Sequence, residues 1–178
     1  MRGIVLAGGS GSRLRPTTYV VGKALHLVYN KPMVWYPFQT LYDAGVNEIL
    51  IITTPQDADR VREIMNYYPF DPDRKGYVEV AIQQRPRGIA DAFNIGGRYF
   101  PEDESVALIL GDNIFHGDFG FQQDLEDFHK HMGALIYGYQ HLKVGEFGVL
   151  ELGKDGQVLS IEEKPKTPKS DMMVPGLI

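Results

Sequence analysis

Four short apolar runs, separated by longer amphipathic stretches, constrain the fold of this chain most strongly. They cover residues 3–7, 48–53, 78–83 and 106–110. The second run contains Ile49-Leu50-Ile51-Ile52, and such a continuous run is typical of a strand buried on both faces. Alternation of these strands with amphipathic helices predicts an α/β fold, in which a mostly parallel sheet has helices on both faces.

The segments between and after these runs predict four helices. The first extends from Pro32-Met33 to Ala44, with Gly45 just past its end. The second has Thr54 as its N-cap and Pro55 as its first residue, while the third and fourth cover residues 89–99 and 121–132. Two prolines, a glycine and many polar groups predict a loop over residues 66–76.

The sequence after the fourth predicted helix predicts antiparallel strands in addition to the parallel ones. One strand is expected over residues 134–139, and Lys154-Asp155-Gly156 lies between two further strand patterns at residues 148–152 and 158–163. Asp-Gly between two strands is the signal of a tight hairpin. The length of 178 residues predicts a single domain over residues 1–178.

Composition and charge exclude several classes of function. The chain has 18 Lys and Arg against 23 Asp and Glu, a net charge of −5, which argues against general affinity for nucleic acid or membrane surfaces. It has no cysteine, so thiol catalysis and Cys-ligated zinc are excluded, and a cytoplasmic location is expected. No apolar run approaches the roughly 18 residues that a membrane-spanning helix requires.

Functional groups are expected where the strands end, because ligands of open α/β sheets bind beyond the carboxyl ends of the strands. This rule selects the loop after Leu6, the segment after Gln83 and Gly111-Asp112-Asn113. An Asp at a strand end can cap the next loop, or it can hold a divalent cation against phosphate oxygens. A Gln side chain is usually a plain surface amide, but its donor and acceptor also suit the edge of a base.

A glycine-rich loop, Gly8-Gly9-Ser10-Gly11-Ser12-Arg13, follows the first strand directly. Glycines let backbone N–H groups approach a phosphate, and Arg13 adds a bidentate cation. A tight strand–helix turn is the alternative, but Arg13 followed by Lys23 favours phosphate binding. The loop is neither a P-loop nor a dinucleotide fingerprint, because no Lys follows Gly11 at the required step and Leu14 replaces the third Gly.

The opening segment, residues 3–14, resembles that of the sugar-phosphate nucleotidylyltransferases. The resemblance continues in register through Tyr29, Lys31-Pro32-Met33, residues 51–55, residues 111–115 and residues 162–166, and it favours the thymidylyltransferase branch. It implies a Rossmann-like sheet of the glycosyltransferase-A-like type. The implied reaction joins dTTP to glucose 1-phosphate, gives dTDP-glucose and pyrophosphate, and uses Mg²⁺ as cofactor.

The resemblance also implies residue roles at matching positions. The nucleotide is expected to contact Leu6, Gly8, Gly9, Gly11, Ser12, Arg13, Gln83, Gly88 and Asp112, the last of which is also the expected magnesium ligand. The sugar phosphate is expected at Gly148, Glu163, Lys164 and Val174. Arg13, Lys23 and Lys164 are the expected catalytic cations, acting on the pyrophosphate, the phosphates near the transfer centre and the incoming nucleophile. No nucleic-acid or membrane partner is expected, and a homo-oligomer is left open.

The chain departs from the family pattern at several positions. Lys23 is kept, but the Ser before it and the Pro after it are replaced in Gly22-Lys23-Ala24-Leu25-His26-Leu27. Arg87 interrupts a common Pro-Asp-Gly, which leaves the base preference open, and Glu146 replaces a common basic residue. The chain is also shorter than the family, so we expect it to lack the C-terminal region that supplies a second Asp for magnesium.

Two other classes of function stay open from the sequence. The chain could bind nucleotides or sugar phosphates with little turnover, or it could keep only the fold as an assembly partner. The presence together of Arg13, Lys23, Asp112, Glu163 and Lys164 favours catalysis, because folding alone does not demand polar residues at strand ends. No zinc site is expected, since His129 and His131 diverge on a predicted helix and His-Glu-x-x-His is absent.

Overall fold

The structure is a computed structural model that describes residues 1–117, 119–128 and 133–178. They fall into two compact units, Met1–His131 and Met132–Ile178; the single domain stays a prediction. The elements of the first unit are β1 (Arg2–Ala7), β2 (Leu27–Val28), β3 (Lys31–Pro32), α1 (Trp35–Asp43), β4 (Glu48–Thr53), α2 (Ala58–Met65), β5 (Tyr77–Ile82), α3 (Ala90–Gly96), β6 (Val106–Leu110) and α4 (Phe121–Phe128). Those of the second are β7 (Tyr139–Gln140), β8 (Gly148–Leu152), β9 (Val158–Glu163) and β10 (Met172–Val174).

The first unit is built on a four-stranded sheet in the order β5-β4-β1-β6. Every neighbouring pair is parallel, and β1 lies between β4 and β6, with Ile4 opposite both Leu50 and Leu108. A connection between two parallel strands must return the chain from the end of one strand to the start of the next. The helices α1, α2 and α3 form part of these crossover connections. The predicted α/β fold with a mostly parallel sheet is confirmed.

Both faces of this sheet are buried. On one face Ile4, Leu50, Ile52 and Leu108 pack with Ala92 of α3, and none of the five is more than 1% exposed. Alternate residues point to the other face, where Gly3 of β1 lies against Leu41 of α1, Val46 and Ile49. Burial of each large aliphatic side chain stabilises the fold by roughly 1.5–3 kcal/mol, which explains the continuous apolar runs of the sequence.

The predicted loop over residues 66–76 is confirmed, and aromatic packing fixes it to α1. Tyr68 and Phe70 make edge-to-face contacts with Phe38, at centroid distances of 4.6 and 5.8 Å. Arg74 lies 4.1 Å over the ring of Tyr42, whose hydroxyl donates to the Arg74 carbonyl. Burial, reinforced by the nearby Asp43 carboxylate, raises the pKa of Tyr68 well above its ordinary value. Tyr68 thus anchors the loop to the core, while most other residues of the loop are exposed.

The second unit is an antiparallel sheet in the order β7-β10-β8-β9. The predicted hairpin is confirmed, because β8 pairs with β9 from Gly148 opposite Glu163 to Leu152 opposite Val158. Gly153 N donates to the Gln157 carbonyl at 2.8 Å and closes the connecting loop, in which Gly156 has a φ of +76°.

Several predicted boundaries are wrong. Of the strand expected over residues 134–139 only Tyr139 is paired, and β7 continues to Gln140, opposite Met172. The second helix starts at Ala58 rather than Pro55, because Thr54 to Asp57 form a turn closed by Asp57 N donating to the Thr54 carbonyl at 3.2 Å. Pro32 lies in β3 opposite Leu27, so the first helix starts later, at Trp35.

The third and fourth helices also differ from their predicted lengths. The third, α3, is shorter than expected and ends at Gly96, after which the chain turns. The fourth is confirmed from Phe121 to Phe128, and the rest of its predicted span, with His129 and His131, lies outside the described residues. Within the described ranges, no helix has the length and apolar character needed to cross a bilayer.

The start of β1 is fixed by Glu104, which precedes β6. Its carboxylate accepts from the N-terminal ammonium at 3.1 Å and from Arg2 Nε at 2.7 Å. The Arg2 hydrogen bond, helped by the N-terminal ammonium, outweighs the effect of burial and holds the pKa of Glu104 below its ordinary value of 4.5. A carboxylate with a lowered pKa stabilises the fold when it is ionised.

This linkage gives a pH-dependent prediction for the Glu104→Gln substitution. At pH 7 the variant should lose up to about 1 kcal/mol of unfolding free energy, because solvent screens part of the interaction. The difference from the parent chain should persist above a pH of about 4.5 and shrink as the pH falls through the lowered pKa, where Glu104 itself becomes protonated. Urea unfolding at several pH values measures it, with the exposed neighbour Glu102→Gln as control. A difference independent of pH would contradict the role of the charge.

Candidate active site

A cleft of about 220 Å³ opens in the first unit where β1, β5 and β6 end. The three places selected from the sequence all contribute to it, as the carboxyl ends of neighbouring parallel strands must lie on one edge of the sheet. The cleft is lined by Leu6, Ala7, Gly8, Gly9, Lys23, Ala24, Gln83, Pro86, Gly88, Ile89, Leu110, Gly111 and Asp112. Its walls therefore combine backbone of the glycine-rich loop with one cation, one amide and one carboxylate.

Most of the residues expected to contact a nucleotide come together in this cleft. Leu6, Gly8, Gly9, Gln83, Gly88 and Asp112 all line it, together with the expected catalytic Lys23. Three others, Gly11, Ser12 and Arg13, are not among the lining residues, because the chain turns at Gly11 into the 3₁₀ turn Ser12–Leu14, where Arg13 is exposed. The structure establishes where each of these residues lies, and the role of each in nucleotide binding stays a prediction.

Hydrogen bonds hold the glycine-rich loop in a defined turn. Gly11 has a φ of +58°, in the left-handed region, and its carbonyl accepts from the Thr18 hydroxyl at 2.8 Å and from Leu14 N at 2.9 Å. A left-handed residue other than Gly would be strained at this position. Glycine at position 11 and these two hydrogen bonds therefore define the turn of the loop after β1.

Lys23 and Asp112 form an ion pair at the cleft. Lys23 Nζ donates to Asp112 Oδ2, and both side chains are about one-third exposed. The lysine belongs to the 3₁₀ turn Lys23–Leu25, and the aspartate follows β6, 89 positions later. An anion that binds Lys23 and a cation that binds Asp112 would each compete with this pair.

The segment before Lys23 is fixed by a buried carboxylate that sequence reasoning missed. Asp57 is 7% exposed and accepts from Gly22 N at 3.3 Å and from the Thr54 hydroxyl at 3.0 Å. A Cβ at Gly22 would lie only 1.9 Å from Asp57 Oδ2. A side chain at position 22 would therefore require Asp57 to shift, and the hydrogen bond links the position of Lys23 to the turn before α2.

Hydrogen bonds hold Gln83 both at its main chain and at its side-chain amide. Its main-chain N–H donates to the Thr53 carbonyl at 2.8 Å, and its side-chain Nε2 donates to Asp91 Oδ2 at 2.9 Å. The side chain is buried, since the residue is 5% exposed. Asp91, in the first turn of α3, was not selected from the sequence, because an acid in a first helical turn is ordinary.

Asp112 fits a magnesium ion that arrives with a nucleotide better than a permanently bound metal. No group of three or more potential metal-binding side chains occurs among the residues that the structure describes. Mg²⁺ commonly keeps several waters and takes one or two carboxylates together with substrate phosphates. A single carboxylate beside the glycine-rich loop meets that requirement.

In the second unit, the residues expected to bind a sugar phosphate form one group. Gly148 of β8 is opposite Glu163 of β9 and Val174 of β10, so the three form a row across adjacent strands. A Cβ at Gly148 would lie 3.5 Å from Glu163 Oε2 and 3.8 Å from Val174 Cβ. Glycine at the middle of the row leaves space above the backbone between the carboxylate and the aliphatic side chain.

Lys164 extends this row with a cation in an unusual backbone conformation. Its φ is +48°, which only a few per cent of non-glycine residues adopt. Its N–H donates to the Phe147 carbonyl at 3.0 Å, and its Nζ lies 3.3 Å from Glu163 Oε1. Both side chains are more than half exposed, so the pair offers a cation and a carboxylate to solvent.

Sequence relatives of this chain cover almost all of its length. The sequence profile of the family described as "Nucleotidyl transferase" matches residues 2–177. The chain is 47% identical to glucose-1-phosphate thymidylyltransferase of Mycolicibacterium smegmatis and 43% identical to that of Neisseria meningitidis, over 99% of its own length. It spans about 60% of the length of these curated relatives.

Solved structures extend the similarity to the fold. A crystal structure of a candidate glucose-1-phosphate thymidylyltransferase from Bacillus anthracis, in complex with sucrose, superposes with a TM-score of 0.86 at 31% identity, covering 99% of this chain and 70% of the other. A UDP-glucose pyrophosphorylase complexed with UDP-glucose superposes with a TM-score of 0.81 at 20% identity, covering 99% and 74%, and supports the fold alone. The chain belongs to the nucleotidyl transferase family.

Proposed function

We propose that this chain carries out nucleotidyl transfer from dTTP to glucose 1-phosphate, giving dTDP-glucose and pyrophosphate. The observation that carries the proposal is the meeting of the glycine-rich loop, Lys23, Gln83 and Asp112 in one cleft at the strand ends. The nucleotide and sugar are taken from relatives whose name is glucose-1-phosphate thymidylyltransferase. This chain spans about 60% of the length of those relatives.

The nucleotide is proposed to lie with its base toward Gln83 and Gly88 and its phosphates toward the loop that starts at Gly8. Backbone N–H groups of such a loop suit phosphate oxygens, and Lys23 at the same cleft adds positive charge. Arg13, exposed on the next turn, is proposed to bind the leaving pyrophosphate. The net charge of −5 does not oppose this, because the cations act locally.

The reaction itself requires little acid–base chemistry. An oxygen of the sugar phosphate, already anionic at neutral pH, attacks the α-phosphorus of dTTP, and the bond from that phosphorus to the bridging oxygen of pyrophosphate breaks. No proton has to be removed from the nucleophile. Catalysis therefore depends on alignment and on positive charge around the phosphates. Lys23 supplies such charge near the transfer centre, and Lys164 is proposed to hold the nucleophile.

Magnesium is the proposed cofactor, with Asp112 as its protein ligand. When bound, the ion neutralises negative charge on the phosphates in the transition state. The Lys23–Asp112 ion pair keeps the carboxylate directed into the cleft, and phosphate binding to Lys23 would release it for the metal.

The row of Glu163, Gly148 and Val174, extended by Lys164, is proposed to bind the hexose phosphate. Glu163 accepts hydrogen bonds from sugar hydroxyls, Lys164 pairs with the phosphate, and the open backbone at Gly148 admits the ring. The exposed, solvent-facing position of Glu163 and Lys164 supports this assignment. A cytoplasmic location, a homo-oligomer and the absence of nucleic-acid partners stay predictions.

The first test is pyrophosphate release from dTTP, glucose 1-phosphate and Mg²⁺, with Lys23→Ala as the variant. Loss of one such electrostatic stabiliser should raise the barrier by about 2–4 kcal/mol, that is, lower kcat by roughly 30- to 1,000-fold. Lys75→Ala, which removes an exposed lysine in the loop over residues 66–76, serves as control and should keep full activity.

The same assay separates the alternatives left open by the sequence. Nucleotide binding by calorimetry without pyrophosphate release would favour a binding protein with little turnover. Failure of both binding and release would leave only the role of an assembly partner. A Lys23→Ala variant as active as the parent chain would remove Lys23 from the mechanism.

The second test concerns the sugar phosphate. Lys164→Ala should raise the KM for glucose 1-phosphate about tenfold or more, because a charge-assisted hydrogen bond to phosphate is lost. The KM for dTTP should stay unchanged in steady-state kinetics. Lys154→Ala is the matched control, since it removes an exposed lysine from the loop that connects β8 and β9. Equal increases in both KM values would contradict a role specific to the sugar phosphate.

A further inference from the structure

We propose that Asp91 is a positioning residue that decides which bases the cleft accepts, because it fixes the orientation of the Gln83 amide. The inference rests on the proposed function, in which Gln83 faces the base. It adds a residue outside the cleft lining and a chemical rule for the base.

The first observation is the contact between Gln83 and Asp91. Gln83 Nε2 donates to Asp91 Oδ2 at 2.9 Å, and the glutamine is only 5% exposed. Its backbone is anchored as well, by the 2.8 Å hydrogen bond to the Thr53 carbonyl. The Gln83 side chain is therefore fixed both at its main-chain end and at its amide group, and it has little freedom to rotate about its last bond.

The second observation is the chemical nature of the partner. An ionised carboxylate accepts hydrogen bonds and has none to donate, whereas an amide has a donor end and an acceptor end. Only the NH₂ of Gln83 can therefore face Asp91. Rotation by 180° would put two acceptors, Gln83 Oε1 and Asp91 Oδ2, against each other in a buried place, which disfavours that orientation.

The third observation is where the acceptor end points. A Cβ at Gly8 would lie 2.3 Å from Gln83 Oε1, so the carbonyl oxygen lies directly against the glycine-rich loop. Gly8 and Gln83 both line the cleft. The amide accordingly presents its oxygen, not its NH₂, on the side where the loop borders the cleft, and glycine at position 8 leaves room for it.

An acceptor in this position selects a base by its hydrogen-bond pattern. Thymine and uracil carry a hydrogen on ring nitrogen N3, which can donate to Oε1. Cytosine has a bare N3 at the same place, which is itself an acceptor and would repel the amide oxygen. The pocket is thereby suited to pyrimidines with an N3–H, and Arg87, which left the base preference open, is not needed to explain it.

The closing experiment compares dUTP with dCTP, two nucleotides that differ only at ring positions 3 and 4. Their Kd values are measured by calorimetry with Mg²⁺ for the parent chain, Asp91→Asn and Asp91→Glu. We expect the parent chain to prefer dUTP by about tenfold or more. Asp91→Asn should erase most of that preference, chiefly by binding dCTP more tightly, because Asn can donate as well as accept and permits both orientations of Gln83. Asp91→Glu keeps an acceptor-only group and should retain the preference.

A matched control separates positioning from stability. Asp59→Asn removes the first-turn acid of α2 in the same way and should leave the ratio of the two Kd values unchanged. If Asp91→Asn weakens both nucleotides by the same factor, Asp91 is merely structural and the proposal is wrong. Equal affinities of the parent chain for dUTP and dCTP would overturn it too.

The two experiments distinguish failure of the proposed function from failure of the role given to Asp91. Pyrophosphate release with equal binding of dUTP and dCTP would keep the function and reject the inference. A clear dUTP preference without pyrophosphate release from any nucleotide and sugar phosphate would do the reverse. Failure to bind dTTP, dUTP and dCTP alike would reject both.

Discussion

The backbone pairing of β1 with β4 on one side and β6 on the other is the constraint on which the first unit depends. Because all of these strands run in the same direction, their carboxyl ends lie on one edge of the sheet, and the residues that follow them must meet there. The glycine-rich loop and Asp112, more than a hundred positions apart in sequence, become neighbours through this register alone. Burial of Ile4, Leu50 and Leu108 on one face favours this register, since a shift by one residue would turn these side chains to the opposite face, away from Ala92 of α3.

Electrostatics in the cleft follow from the same geometry. Lys23 lies in a 3₁₀ turn and Asp112 follows β6, and their side chains form an ion pair. The pair neutralises the charges of both groups, so Lys23 is not an isolated cation in the cleft. The buried Asp57 positions the main chain beside Lys23, because its carboxylate accepts hydrogen bonds from Gly22 N and from the Thr54 hydroxyl. Of these two carboxylates, Asp112 lies within the cleft lining and Asp57 lies behind the segment that carries the lysine.

The sequence was sufficient where local pattern and burial agree, and it failed where partners are distant. Buried runs predicted β4 and β6 with correct bounds, and the Asp-Gly turn predicted the β8–β9 hairpin. The start of α2 was misplaced because Thr54-Pro55 is a good N-terminal signal that the turn before Asp57 overrides. The contacts of Asp57 with the main chain of Gly22 and of Asp91 with the side chain of Gln83 have no local signature, as both hydrogen bonds depend on packing between separate elements. Arg13 belongs with these: a pattern can select it, but only the turn at Gly11 decides that it is exposed.

Trp35 is the chain's single tryptophan, and its place in the aromatic packing has a practical consequence. Its ring meets that of Tyr68 edge-on at a centroid distance of 5.4 Å, next to the cluster that joins α1 to the loop over residues 66–76. All indole emission from this protein therefore originates at the contact between α1 and that loop. Tryptophan fluorescence, excited where tyrosine absorbs little, therefore follows the folding of the first unit selectively and without a label, while the second unit contributes no indole signal.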